Sequence, residues 1–260
     1  MKLAEKIIDI EVEKGEIALF YLAQAGFCIK NAGNKIIVID AYLSDAAERL
    51  FNFKRMIPSV IKPEEIDADL WLSTHSHADH LDPDALPVIA KNIKTFFVGS
   101  PDCEDLYRQN NISKERYCVL KLNEEWKGNG ISVKAVYADH GDLAPDAIGM
   151  LIDIEGIKIY HAGDTSYSPA KIMASLNSDV DIMIAPVNGQ YGNLNASEAC
   201  SLAKLLSPKV LIASHFWMFL QHVSEGGIGD PVTFLKESEN LPENIKVMVM
   251  APGELFKYSK

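Results

Sequence analysis

Two patterns of apolar and polar positions alternate along the chain. Short β-branched and apolar runs read as strands at Ile17–Leu22, Phe27–Asn31, Lys35–Asp40, Asp69–Ser73, Thr95–Val98, Tyr117–Leu122, Ile131–Ala138, Ile148–Ile154, Ile157–His161, Ile182–Pro186, Val210–Ser214 and Lys246–Met250. Between them lie segments that read as helices: Pro83–Lys91, Pro101–Asn110, Pro169–Leu176, Ala196–Leu206 and Pro231–Glu239. The first half opens with strands joined by tight turns, such as Asn34 after Ala32-Gly33, and the second half repeats the plan and ends in strand–helix alternation. Two mixed sheets packed back to back, with helices on both outer faces, account for this order. Element order by itself also allows a doubly wound sheet.

Composition narrows the class. No low-complexity segment, repeat or linker divides the 260 residues, so residues 1–260 are expected to form one domain. The four cysteines, Cys28, Cys103, Cys118 and Cys200, form no CxxC pair and suit a reducing compartment. Lys and Glu fill the N-terminal stretch where a signal peptide needs an apolar run, and no stretch approaches 18 apolar residues. A cytoplasmic protein without a membrane span is expected. The net charge of −11, with lysines and arginines scattered, argues against a nucleic-acid partner. A small-molecule substrate remains, and even an anionic one is allowed where metal ions reverse the local charge.

The chemistry concentrates at one place. The strand Asp69–Ser73 runs into Thr74-His75-Ser76-His77-Ala78-Asp79-His80. Imidazole and carboxylate are ligands that zinc, iron and manganese accept. At alternate positions His75 and His77 can face one point, while Asp79 and His80 can face a second as the chain turns. Three later polar residues also end apolar runs: His140 after Ile131–Ala138, Asp164 after Ile157–His161, and His215 after Val210–Ser214. Strand ends of this kind are where open α/β architectures place their sites.

In this order the HxHxDH segment, a later His, the Gly163-Asp164-Thr165 aspartate and a final His resemble the metallo-β-lactamase superfamily. Loop phrases are similar to its L-ascorbate-6-phosphate lactonase-like branch: Gln24-Ala25-Gly26-Phe27, Asp40-Ala41-Tyr42-Leu43-Ser44-Asp45, Pro186-Val187-Asn188-Gly189, and the unit from Asn195 to His215. The superfamily resemblance implies a four-layer αβ/βα sandwich. It also implies two divalent metal ions, zinc or manganese with iron as a third option. His75, His77 and His140 would hold one; Asp79, His80 and His215 would hold the other; Asp164 would bridge them. Asp40 would orient a ligand. His161 is expected to pack beside the site. His222 is a candidate for substrate binding or proton donation, and Tyr42, Asn188, Tyr191 and Trp217 are candidate pocket walls.

The expected activity is hydrolysis by a hydroxide shared between the metals, with Asp79 or Asp164 accepting its proton. The branch resemblance suggests a lactone or related ester, including that of a phosphorylated sugar acid. A small phosphodiester is the alternative, and a catalytically silent metal-binding protein of the same fold is a third. Redox diiron relatives carry Glu where this chain has His77. Assembly into a homo-oligomer is allowed by the resemblance.

Overall fold

The computed structural model describes residues 1–221 and 229–260. The first sheet contains β1 (Glu16–Tyr21), β2 (Phe27–Asn31), β3 (Ile36–Ile39), β4 (Leu70–Ser73), β5 (Phe96–Gly99), β6 (Tyr117–Val119) and β14 (Leu255–Ser259). The second contains β7 (Glu125–Gly128), β8 (Ile131–Tyr137), β9 (Ile148–Ile154), β10 (Ile157–His161), β11 (Ile182–Pro186), β12 (Val210–Ser214) and β13 (Lys246–Met248). Strand order is β14-β1-β2-β3-β4-β5-β6 in one and β13-β12-β11-β10-β9-β8-β7 in the other.

Both sheets follow one rule. Strands linked by short turns pair antiparallel, as in β1–β2–β3 and β7–β8–β9–β10. Strands linked by longer crossovers pair parallel, as in β3–β4–β5–β6 and β10–β11–β12–β13. Each sheet is therefore mixed, with its parallel strands ending along one edge.

The apolar runs are continuous because both faces of the central strands are covered. In the first sheet Leu19, Ile29, Ile37 and Leu72 share a buried cluster with Val133, Met150 and Ile152 of the second. The intervening residues Phe20, Val38, Trp71 and Phe97 face the other way. They pack with Ile7 of α1 (Leu3–Asp9), Leu86 and Ile89 of α3 (Leu86–Ile89), and Tyr107 of α4 (Glu104–Gln109). On the far side, α5 (Pro169–Leu176) packs on β8, and α6 (Ala196–Leu206) packs on β11 and on α7 (Pro231–Ser238). Two mixed sheets flanked by helices is the expected sandwich, and the doubly wound alternative falls away.

Local differences have local causes. The helix expected over Pro83–Lys91 shrinks to Leu86–Ile89, because Asp82 Oδ1 accepts the backbone N–H groups of Asp84 and Ala85 and holds a turn there. Pro101–Cys103 is a tight 3-10 turn ahead of α4. The strand expected to reach Asp40 stops at Ile39, since Asp40 adopts φ +46°. The strands expected to reach Leu122 and Met250 end at Val119 and Met248. Four elements carry no clear pattern in the sequence: α1, α2 (Ala46–Phe51), β7 and β14. β7 and β14 are edge strands in which exposed and half-buried residues alternate, and the two helices are short. Among the described residues, no helix is long and apolar enough to cross a membrane.

Candidate metal centre

The parallel strands β3, β4, β10, β11 and β12 end along neighbouring edges, and the loops leaving them build the site. β4 delivers Thr74 and His75, both buried. Asp40, left behind by β3 in a left-handed conformation, turns its carboxylate onto this loop. Its Oδ1 accepts the Thr74 backbone N–H at 2.8 Å, and its Oδ2 accepts the Thr74 hydroxyl at 2.7 Å and His80 Nδ1–H at 2.8 Å. That arrangement fixes the His80 ring with Nδ1–H on Asp40 and turns Nε2 toward Asp164 and Asp79.

Hydrogen bonds fix the rings of His75 and His77 as well. Thr74 gives its hydroxyl proton to Asp40, so its 3.1 Å contact with His75 Nδ1 must have the imidazole as donor. His77 Nε2–H donates to the Leu143 carbonyl at 3.0 Å. His75 Nε2 and His77 Nδ1 are thereby left as two lone pairs facing each other at 2.9 Å with no proton between them. A cation held by both relieves that repulsion.

The second sheet brings the other residues. His140 follows β8, Asp164 follows β10 and His215 follows β12. Asp164 Oδ1 lies 3.3 Å from His80 Nε2, and its Oδ2 lies 3.2 Å from His215 Nε2 and 3.7 Å from His140 Nε2. Asp79 Oδ2 lies 3.6 Å from His215 Nε2 and 3.8 Å from His80 Nε2. The donor atoms of His75, His77 and His140 lie within 4.8 Å of one another, as do those of Asp79, His80 and His215 and those of His75, His80 and Asp164. Asp164 thus stands between the first two groups. His80 Nε2, Asp164 Oδ1 and His140 Nδ1 are buried and make no hydrogen bond. Unsatisfied buried donors and acceptors are costly, and this donor set fits a pair of divalent cations of the zinc, manganese or iron type.

The electrostatics point the same way. Burial pushes the His75 imidazole well down and lowers His140 and His161. Burial also opposes a His80 cation, yet Asp164, Asp40 and Asp79 outweigh it and hold His80 well above its ordinary range. Burial opposes charge on Asp164 too, and His215 and His80 outweigh it, keeping its carboxyl well below the usual range. Asp79 is lowered by the same balance. Asp40, Asp79 and Asp164 thus favour positive charge at this point of the site.

Neighbouring side chains hold the loops. Asp102 Oδ2 accepts the Ser76 backbone N–H at 3.0 Å and its hydroxyl at 2.8 Å, and Asp102 also accepts the Ser100 hydroxyl. Asp82 Oδ2 accepts Leu43 and Ser44 N–H at 2.9 and 2.7 Å, and its Oδ1 accepts the Ser44 hydroxyl at 2.6 Å. It therefore ties the HxHxDH loop to the segment leading into α2. Gly163 is required beside Asp164: at φ +63°, an added Cβ would lie 2.9 Å from Thr74 Cβ. Ala23, Gln24 and His215 also adopt positive φ, strain that the surrounding contacts must hold.

Gln24 and Asn193 were not expected at the site. Gln24 Nε2 donates to Asp79 Oδ2 at 2.7 Å, and Asn193 Nδ2 donates to Asp164 Oδ2 at 2.9 Å. Neither is a metal-ligand type, so a scan for His, Cys, Asp and Glu passes them over. His161 packs behind Asp40, with Nε2–H donating to the Ala25 carbonyl at 2.9 Å and Nδ1 accepting Gly163 N–H at 3.2 Å.

A cavity of about 450 Å³ opens over this centre. Its lining includes the polar residues His77, Asp79, His140, Asp164 and His215 and the apolar residues Leu50, Phe51, Phe53, Leu106, Leu143 and Phe219. Of the four expected wall residues only Tyr191 lines it. Tyr42 is buried beneath, where its hydroxyl accepts Ala47 N–H at 3.1 Å. Asn188 is buried in a bridge to Asn195, and Trp217 points outward, 41% exposed. His222 lies outside the described residues.

A family model described as a beta-lactamase superfamily domain matches residues 18–215. The chain belongs to the metallo-β-lactamase superfamily. A UPF0173 metal-dependent hydrolase of Thermococcus onnurineus is 28% identical to this superfamily member over 246 residues, covering 91% of this chain and 97% of the relative. Another from Polynucleobacter asymbioticus is 28% identical over 94% of this chain and 87% of its own length. Among solved structures, Igni18, a metallo hydrolase from Ignicoccus hospitalis, superposes with a TM-score of 0.72 at 23% identity, covering 94% of this chain and 99% of that one. An isothiocyanate hydrolase from Delia radicum gut bacteria gives 0.74 at 20% identity, covering 93% and 98%. These likenesses support the superfamily's fold and leave the lactonase-like branch without specific support.

Proposed function

We propose that this protein is a metal-dependent hydrolase that cleaves an ester or lactone of a small molecule. The observation that carries this reading is the convergence of His75, His77 and His140, of Asp79, His80 and His215, and of Asp164 between them, at the floor of an open cavity. The printed names of the relatives, metal-dependent hydrolases, are in keeping with it. His75, His77 and His140 would hold one divalent ion, Asp79, His80 and His215 a second, with Asp164 shared. Bound there, a metal pair supplies Lewis acidity and brings the pKa of water to about 7.

The chain's own residues do the rest. Asp40 and Thr74 keep His80 and His75 in the tautomers that aim Nε2 inward. Gln24 and Asn193 hold Asp79 and Asp164 in place while leaving the second oxygen of each carboxylate free of them. Asp79, which lines the cavity, would accept a proton from attacking water.

A panel of lactones and p-nitrophenyl esters, run against bis-p-nitrophenyl phosphate with zinc- or manganese-loaded protein, tests this reading. Turnover of esters or lactones is expected. Turnover of the phosphodiester alone replaces the reading with the phosphodiesterase one.

A further inference from the structure

We infer that the substrate carries an uncharged, apolar acyl or alkyl group, seated against the cavity wall built by α2 and the segment that follows it. The hydrolase reading supplies the reaction; the inference names what the rest of the substrate looks like.

The cavity is lined by two unlike sets of side chains. One belongs to the candidate metal centre, and the other is Leu50, Phe51, Phe53, Leu106, Leu143 and Phe219. Three of these stay open to solvent: Leu50 is 46%, Phe51 60% and Leu143 55% exposed. Apolar side chains gathered at the mouth of a cavity gain most by covering one another with a ligand. Their continuity with the metal-facing residues, inside one cavity, makes the substrate's own body the occupant that fits.

The charge distribution removes the competing class. No Lys or Arg is among the described residues lining the cavity. Lys54, next to Phe53, is exposed but is not among the lining residues, and the two arginines on neighbouring segments are already committed. Arg49 pairs with Asp84 at 2.6 Å, and Arg55 donates to the carbonyls of Ile57 and Ser44 at 2.8 and 2.7 Å while lying over the Tyr42 ring. A phosphate or sugar-acid carboxylate placed away from the metal centre would meet no cation on this wall, and desolvating it there is costly. The net charge of −11 opposes it further.

The test uses zinc- or manganese-loaded protein and two chain-length series. One is p-nitrophenyl esters from acetyl to decanoyl, read as kcat/KM. The other is straight-chain carboxylates from butanoate to decanoate, read as Kd by calorimetry, which needs no turnover. Each buried methylene is expected to tighten binding about fourfold. The Leu50→Ser and Phe51→Ser variants, altered at exposed positions and checked for unchanged metal content, should flatten that dependence. A Kd that is flat along the carboxylate series overturns the inference, as does tighter binding of a sugar phosphate than of octanoate. A flat series with esters still hydrolysed sinks this inference and keeps the hydrolase reading. A rising series with no ester or lactone cleaved does the reverse.

Discussion

The two sheets share a plan of antiparallel turns followed by parallel crossovers, yet they equip the candidate centre in opposite ways. The first sheet delivers His75, His77, Asp79 and His80 from one loop after β4. The second delivers His140, Asp164 and His215 singly, from the ends of β8, β10 and β12. Neighbours in sequence need only a well-shaped turn to converge, and Asp40, Asp102 and Asp82 shape that turn with side-chain acceptors. Residues on separate strands converge only when the sheet register is right. The local half of the centre is therefore set by loop hydrogen bonds, and the distributed half by the packing of the whole sandwich.

Substitution can break that contrast. Asp164→Ala removes the residue that stands between both groups, and should bring hydrolysis to background and lower the metal content, with circular dichroism unchanged. His77→Ala should abolish hydrolysis as well but strip chiefly one group's metal, as read by elemental analysis. A metal-replete, active Asp164→Ala would remove the bridging assignment. Next in size, Asp40→Ala should weaken metal binding about 10–100-fold, because it frees the His80 tautomer without deleting a ligand. Its effect should exceed that of Asn193→Ala, whose target Asp164 has other partners, in the same titration.

A smaller signal sharpens the electrostatic side of the comparison. Asp164, Asp40 and Asp79 hold His80 above its ordinary range against the effect of burial, which favours its protonated form in metal-free protein. Metal binding there should then release a proton. Calorimetry in buffers of different ionisation enthalpy should register proton release on metal binding, and none would mean that His80 is already neutral. Smallest of all, Asn195→Ala removes the cap whose side chain accepts Glu198 N–H at 2.9 Å, and should cost about 1 kcal/mol in chemical denaturation while leaving metal content alone.

The same contrast explains what the sequence reveals. The layered fold is legible because buried central strands print as unbroken apolar runs. Edge strands β7 and β14 do not, since water covers one face and Trp126 is the only large apolar residue of the β7 segment. The candidate ligands are legible by residue type and by their place after apolar runs. Gln24 and Asn193 are not, because an amide signals nothing until the carboxylate it holds is seen beside it. Pocket walls are the least legible: Tyr42 and Trp217 carry the right chemistry, but side-chain direction depends on a turn at Asp40 and a left-handed residue at Trp217 itself. Leu50 and Phe51 sit on a short helix that no periodicity announces.

Asp82 carries a consequence for how such a protein diversifies. One carboxylate accepts N–H groups on both sides, from Leu43 and Ser44 ahead of α2 and from Asp84 and Ala85 beyond the His-rich turn. Asp82 thus joins the helix at the mouth to the segment that carries the candidate ligands. Drift that reshapes the entrance through this joint would also disturb the grip, so new substrate preferences should arise more readily by exchanging tips such as Leu50 and Phe51 than by moving the helix that bears them.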